Sequence, residues 1–306
     1  MAAITQNNFE SLLKDQADAA LAQIVEAVRA GTCNLFLGAA VHAPPPDNPA
    51  LAAKLPPIGN KLAAILASDP VYQRFYPNDD TSNLARVAQT YESLFMRERL
   101  VSKVEKLVET GKEPSPILRA LAELDFPVVV TTNYDTLFQK ALIDAGKMPI
   151  LSVYHSNEEG IPVENCEMTD APQTRHPFLH KMHGDIQTRE SLVITDEDYV
   201  QFILRMRDSG PFQVIPEAVL EAFKKAPTLF VGYSLRDYDL RTLWKWLRKF
   251  ANASRRPTTY SIDLHPDRII WDVWYNQRRF INFIALDVWK FVPDLYLDVK
   301  GKPMPV

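Results

Sequence analysis

Four apolar, strand-like runs in this chain end in small or polar residues, and these run ends are where chemistry is expected. Val128-Val129-Val130 runs into Thr131-Thr132-Asn133-Tyr134-Asp135. An amide such as Asn133 can donate and accept at once, so it can hold a sugar hydroxyl or a water. Phe178 to Met182 runs into His183-Gly184-Asp185, where an imidazole can accept a proton near neutral pH. Leu35-Phe36-Leu37 ends in Gly38-Ala39-Ala40, and Leu229-Phe230-Val231 ends in Gly232-Tyr233-Ser234. In an open α/β sheet, ligands bind outside the carboxyl ends of the strands. Polar clusters at such ends are where the ribose and phosphates of a nucleotide would be gripped. The chain has only ten glycines, so the three that follow these runs (Gly38, Gly184 and Gly232) carry positional information.

The elements that must position these groups follow from hydrophobic periodicity. Phe9 to Ala30 predicts an amphipathic helix with Gly31 as its C-cap. Cys33 to Leu37 predicts a buried strand. His42 to Ile58 holds much of the proline and predicts an irregular loop. Helices are expected over 60–67, with Asn60 as the cap, over 81–110 as two helices, and over 116–124 leading into the Val128–Val130 strand. Further on, helices are expected over 135–145, 196–207, 216–225 and 237–251. Short strands are expected over 151–154, 178–182, 192–194, 228–231, 259–264 and 281–286. Strands alternating with helices imply a Rossmann-like α/β fold with a parallel sheet. The stretch 60–115 is too long for a single crossover helix and predicts a small helical lobe inserted into one domain spanning 1–306. The stretch 150–177 contains the short strand and an irregular, polar insertion.

Composition narrows the function classes. The chain has 306 residues, 46% hydrophobic and 24% charged, enough for a full α/β core. A net charge of -4, with a pI near 5.9, argues against a phosphate-tracking surface, so no direct nucleic-acid partner is expected. Two cysteines, Cys33 and Cys166, cannot build a four-thiolate zinc site. His176, His180 and His183 have a metal-like spacing. An extended backbone over 178–182 would put His180 and His183 on opposite faces, so no metal is expected. The first ten residues lack a basic segment and an apolar core, and no apolar run reaches membrane-spanning length. The expected location is the cytoplasm.

The order of the motifs resembles the SIR2 (sirtuin-like) family, in particular its bacterial branch linked to NAD depletion in phage defence. The pieces that carry the resemblance are Gly38-Ala39-Ala40, Thr131-Thr132-Asn133-Tyr134-Asp135, Met182-His183-Gly184, Gly232-Tyr233-Ser234-Leu235 and Ser261-Ile262-Asp263. The first departs from the usual Gly-Ala-Gly-x-Ser: Ala40 replaces the second glycine and no serine follows. The paired Cys-x-x-Cys zinc ribbon of deacylating sirtuins is absent. The resemblance therefore implies a sirtuin-like fold without a zinc ribbon, and plain NAD cleavage rather than protein deacylation.

It implies that Asn133 and His183 are the catalytic pair, with Asp135 orienting Asn133 or the nicotinamide side. Gly38, Ala39, Ala40, Thr132, Gly232, Ser234 and Asp263 would bind NAD, which is the substrate. The transition state of NAD cleavage is oxocarbenium-like, so the enzyme must hold the ribose, shield the cation and guide a nucleophile. The leading function is an NAD glycohydrolase serving as effector of an anti-phage abortive-infection system. The alternatives are an NAD-dependent protein deacylase and a non-catalytic NAD or ADP-ribose sensor. An unrestrained NADase would kill its host. Control by homo-oligomerisation, or by a separate sensor or HerA-like ATPase subunit, is expected.

Overall fold

A computed structural model describes residues 6–45, 47–155, 172–206, 214–233, 257–276 and 281–305. Among the described residues seven strands form one sheet: β1 (Asn34–Leu37), β2 (Val128–Thr131), β3 (Ile150–Val153), β4 (Phe178–Lys181), β5 (Thr228–Val231), β6 (Thr259–Ile262) and β7 (Asn282–Ile284). Their spatial order is β3-β4-β2-β1-β5-β6-β7, and every neighbouring pair is parallel.

The sequence forces this arrangement because the strands are apolar on both faces, as a sheet covered on both sides requires. Leu35, Leu37, Val129, Leu179, Leu229 and Val231 point into one apolar cluster. That cluster is closed by α1 (Gln6–Arg29), α5 (Pro116–Glu123), α6 (Leu137–Asp144) and α10 (Val288–Lys300). The alternate residues Phe36, Val128, Val130, Phe178 and Phe230 enter a second cluster on the other face. There α7 (Asp196–Arg205), α8 (Glu217–Lys225) and α9 (Arg268–Trp271) cover them.

Between β1 and β2 the chain adds α2 (Gly59–Ala67), α3 (Pro70–Phe75) and α4 (Leu84–Val108). Their apolar faces make a third cluster, with Leu62, Leu66, Tyr91, Leu100 and Val104 packed beside Tyr134, Ile186, Leu192 and Ile194. The last four belong to the loops after β2 and β4, so this cluster abuts the carboxyl edge of the sheet.

α4 is two helices joined at Met96, whose φ of 70° and ψ of 156° lie in a region that glycine adopts and side-chain residues do not. Met96 is 75% exposed, so its side chain gains little burial in return. Met96→Gly is expected to raise stability by about 1 kcal/mol or more. A urea titration checks this, and a lower midpoint would show that the methionine contributes packing.

Several expectations need correction. Residues 192–194 do not form a strand: a 3-10 turn covers Arg189–Ser191 and the next three residues run extended without a ladder. Asn60 does not cap α2, which begins at Gly59 and is preceded by Ile58 with no side-chain cap. The expected helix over 237–251 and the predicted site residue Ser234 lie outside the described residues, as do 156–171. α3, α9 and α10 were not expected. Among the described residues no helix is long and apolar enough to cross a membrane.

Candidate active site

The strand order reverses direction between β1 and β5, which makes their carboxyl ends the topological switch point. Gly38 and Gly232 meet there. A Cβ on Gly38 would fall 2.4 Å from the Gly232 carbonyl oxygen. Gly232 has a φ of +70°, and a Cβ on it would lie 2.5 Å from the backbone nitrogen of Val41. The Ala40 N–H donates to the Gly232 carbonyl at 2.9 Å. The two glycines let two loop backbones touch. Gly232→Ala combines a clash with a strained backbone and is expected to cost about 2–4 kcal/mol. An unchanged denaturation midpoint would rule this out.

Asn133 stands just beyond β2, held from behind by Thr131. The Thr131 hydroxyl donates to the Leu37 carbonyl at 3.2 Å and accepts from the Asn133 N–H at 3.1 Å. The Thr132 N–H reaches the same carbonyl at 3.3 Å. The Asn133 side chain is half-buried. Its Nδ2 lies 3.4 Å from the Gly38 carbonyl oxygen and 3.2 Å from Nε2 of His42.

Asp135 is buried. Its Oδ1 accepts from the Leu137 N–H at 3.0 Å, which helps start α6, and its Oδ2 lies 3.0 Å from His42 Nε2. Burial pushes its carboxyl up. The His42 and Lys181 charges and the hydrogen bonds it accepts outweigh that and hold it below the ordinary carboxylate value. Asp135 therefore both organises the helix start and faces the site.

Lys181, at the end of β4, is 1% exposed. Its ammonium donates to the Tyr134 carbonyl at 2.9 Å, the Asp135 carbonyl at 2.6 Å and Asp185 Oδ2 at 2.7 Å. All three N–H groups of the ammonium are satisfied. The loop after β2 is thereby stapled to the loop after β4, and the Ile186 N–H adds a bond to the Tyr134 carbonyl at 2.9 Å. Gly184 has a φ of +85°, and a Cβ there would collide with the Ser191 carbonyl. This turn takes His183 out of the strand alternation.

His183, in the turn after β4, is buried against α7. Its Nδ1 lies 3.5 Å from the Tyr199 hydroxyl, and its ring packs edge-on against Tyr199 and Phe202. It shares a face with His180, whose Nδ1 meets Ser152 Oγ at 3.1 Å and whose Nε2 meets the Val214 carbonyl at 3.0 Å. The opposite-face expectation for these two histidines is thus wrong, because the chain turns at Met182. Burial pushes the His180 imidazole down to about 4. Among the described residues no three His, Cys, Asp or Glu side chains gather as a metal-binding group.

The remaining predicted residues spread along the same edge. Ala39 and Ala40 open a 3-10 turn that ends at His42. Asp263 follows β6, and its Oδ1 accepts from the His265 N–H at 3.0 Å. The structure joins Asn133 and Asp135 to Gly38 and His42, and joins His183 to α7. Sequence reasoning missed His42 and Lys181. The signal for His42 was its place: it stands where the Gly-Ala-Gly-x-Ser pattern has serine.

The proline-rich segment after His42 is tied down at both ends. The Trp289 indole donates to the Ala43 carbonyl at 2.9 Å, and the Glu113 N–H donates to the Lys54 carbonyl at 3.0 Å. A cavity of about 210 Å³ lies against it, lined by His42, Pro57, Ile58, Lys61 and Lys112. An open groove of about 740 Å³ runs past Asn48, Leu51, Arg119 and Trp289. The polar cluster at the switch point is the better candidate for chemistry, since the groove holds none of those residues.

An open parallel sheet covered on both faces, with amide, imidazole and carboxylate groups gathered at its switch point, defines the protein's class as doubly wound α/β. Within it the chain belongs to the SIR2-like domain family, whose model matches residues 127–282. It is 28% identical over 181 residues to the NAD(+) hydrolase ThsA of Acinetobacter baumannii (strain 532279), covering 58% of this chain and 34% of that protein. It is 26% identical over 215 residues to the NAD(+) hydrolase ThsA of Bacillus cereus (strain MSX-D12), covering 69% of this chain and 39% of the relative. Defense-associated sirtuin 2 of Bacillus subtilis is 27% identical over 149 residues, 48% of this chain and 13% of that protein. The chain thus spans about a third of the ThsA proteins it matches, and less of the defense-associated sirtuin.

Proposed function

We propose that this chain is an NAD glycohydrolase that releases nicotinamide and leaves ADP-ribose, acting in anti-phage defence. The observation that carries the reading is the Asn133–Asp135 cluster at the carboxyl end of β2, beside the Gly38–Gly232 contact, in a chain similar to proteins named NAD(+) hydrolases. Asn133 would hold a ribose hydroxyl or the attacking water. Its half-exposed amide sits on a rigid turn, which lowers the entropy lost on aligning the reactants. The ionised Asp135 would stabilise positive charge developing on the ribose. His183 would accept the proton from water or a ribose hydroxyl. The loop at Gly38, Ala39 and Ala40, with Thr132, Gly232, Ser234 and Asp263, would bind the rest of NAD.

We read α2 to α4 as a lobe inserted into a single domain, roofing this edge. Restraint of the activity by self-assembly, or by a separate sensor or ATPase subunit, completes the reading.

The deciding experiment incubates purified protein with NAD, with and without an acylated peptide, and follows nicotinamide. Release without peptide is expected. Release only with peptide would make the chain a deacylase, and binding without release would make it a sensor. His183→Ala is expected to lower turnover by roughly two to four orders of magnitude. Turnover in His183→Ala equal to wild type would instead restrict His183 to packing.

A further inference from the structure

The segment Leu192-Val193-Ile194 runs along the seam between the lobe and the sheet. The Leu192 and Ile194 side chains enter the lobe's apolar cluster, and Val193 enters the cluster on the sheet face. All three residues are buried. Buried backbone polar groups must find partners, and those of this segment find them in three different places. The Val193 N–H donates to the His183 carbonyl at 3.0 Å. The Val193 carbonyl accepts from the Tyr134 hydroxyl at 3.0 Å, and Tyr134 stands between Asn133 and Asp135. The Leu192 carbonyl accepts from Nη2 of Arg97 at 2.6 Å. The Leu192–Val193 peptide unit is therefore held between a guanidinium of the lobe on one side and the His183 backbone on the other.

Arg97 grips the same region a second time. Its Nη1 lies 2.7 Å from Asp198 Oδ2 and 3.0 Å from Glu92 Oε2. The same Asp198 oxygen accepts from the Ile194 and Thr195 N–H groups at 3.0 and 2.9 Å, which fixes the start of α7. Tyr199, whose ring meets His183 edge-on, is the next residue. The guanidinium thus reaches the His183 turn by two routes, through its backbone at Val193 and beside its ring at Tyr199. A planar fork suits two acceptors at once, whereas an ammonium is a point charge.

The strain at Met96 fits this arrangement. Strained backbone persists only where its surroundings over-determine it. Met96 breaks α4 immediately before Arg97, with a φ of 70°. The Arg97 bond to Glu92 spans the break, and the bonds to Leu192 and Asp198 lock it against the main domain.

We propose that Arg97 is a positioning residue that sets the His183 turn against the Asn133-Tyr134-Asp135 turn, with the Leu192–Val193 peptide as the link. The inference rests on Asn133 and His183 acting on NAD, as proposed above.

Its test combines kinetics and spectroscopy on the full chain. Arg97→Met keeps the apolar stem and removes both arms of the fork. It should lower kcat for nicotinamide release about 10²-fold with KM unchanged, as for a reacting group moved by about 1 Å. In its proton–nitrogen spectra the Val193 amide and the His183 imidazole should leave their wild-type positions. Glu92→Gln weakens the one Arg97 contact that stays within α4, and should keep kcat near wild type. A kcat for Arg97→Met equal to wild type, a loss as large in Glu92→Gln as in Arg97→Met, or unmoved Val193 and His183 signals would overturn the proposal. If the methionine variant fails to fold, Arg97→Lys keeps the charge beside Asp198 without the fork. It should lower kcat about 10-fold, and it decides by the same signals. Should the wild type release no nicotinamide, the NAD reading falls, and the Val193 and His183 signals in Arg97→Met still decide whether Arg97 positions the turn.

Discussion

Asn133→Ala is expected to abolish NAD cleavage, by at least about 10²-fold, while leaving thermal stability nearly unchanged. The separation of the two effects follows from how the residue is held. Its backbone N–H is fixed by Thr131, and this bond survives truncation of the side chain. Its carboxamide makes only a 3.4 Å contact to the Gly38 carbonyl and the contact to His42. It is half-buried, so removing it opens no deep cavity. A thermal melt beside an NAD assay measures both quantities. Near-wild-type turnover would remove Asn133 from the mechanism. A large fall in Tm would recast it as structural.

Lys181→Met is expected to have the opposite profile, with stability lost first. Removing the ammonium leaves the Asp185 carboxylate buried beside no cation and frees two carbonyls at the Asn-Tyr-Asp turn. Breaking one side of a buried ion pair costs about 3–5 kcal/mol. For a chain of this size that corresponds to a fall in Tm of about 5–8 °C. The double variant Lys181→Met with Asp185→Leu removes both charges and should recover part of the loss. Equal melting of the wild type and the single variant would show that the staple holds nothing together.

The central strands were legible because each carries a run of consecutive apolar residues, such as Leu35–Leu37, Val128–Val130 and Leu229–Val231, which a sheet covered on both faces demands. Asn133 and Asp135 could be placed at the carboxyl edge of the sheet because they follow such a strand directly, although Asp135 also has a structural role in starting α6. The 192–194 segment misled because Leu192 and Ile194 enter one cluster while Val193 enters another. That is strand-like alternation, yet the Ile194 N–H goes to Asp198 Oδ2 rather than to a neighbouring strand. α10 was hidden by Pro293, which reads as a breaker and here sits inside the helix. His42 was hidden by its proline-rich surroundings, which signal loop and say nothing of a buried ring. Lys181 was visible in the motif, but only the fold reveals that its ammonium reaches carbonyls on a different loop.

The placement of β1 at the centre of the sheet decides when the switch point can be assembled. β1 must pair with β5, and Asn34 lies opposite Thr228. Most of the chain has to be synthesised before that pairing exists, and closing so long a loop makes it a late event in folding. A nascent chain that has emerged only as far as the turn after β4 already carries Asn133, Asp135 and His183. It lacks Gly232, and with it the second wall of the switch point. Strand order alone therefore delays the assembled site until translation has passed Gly232.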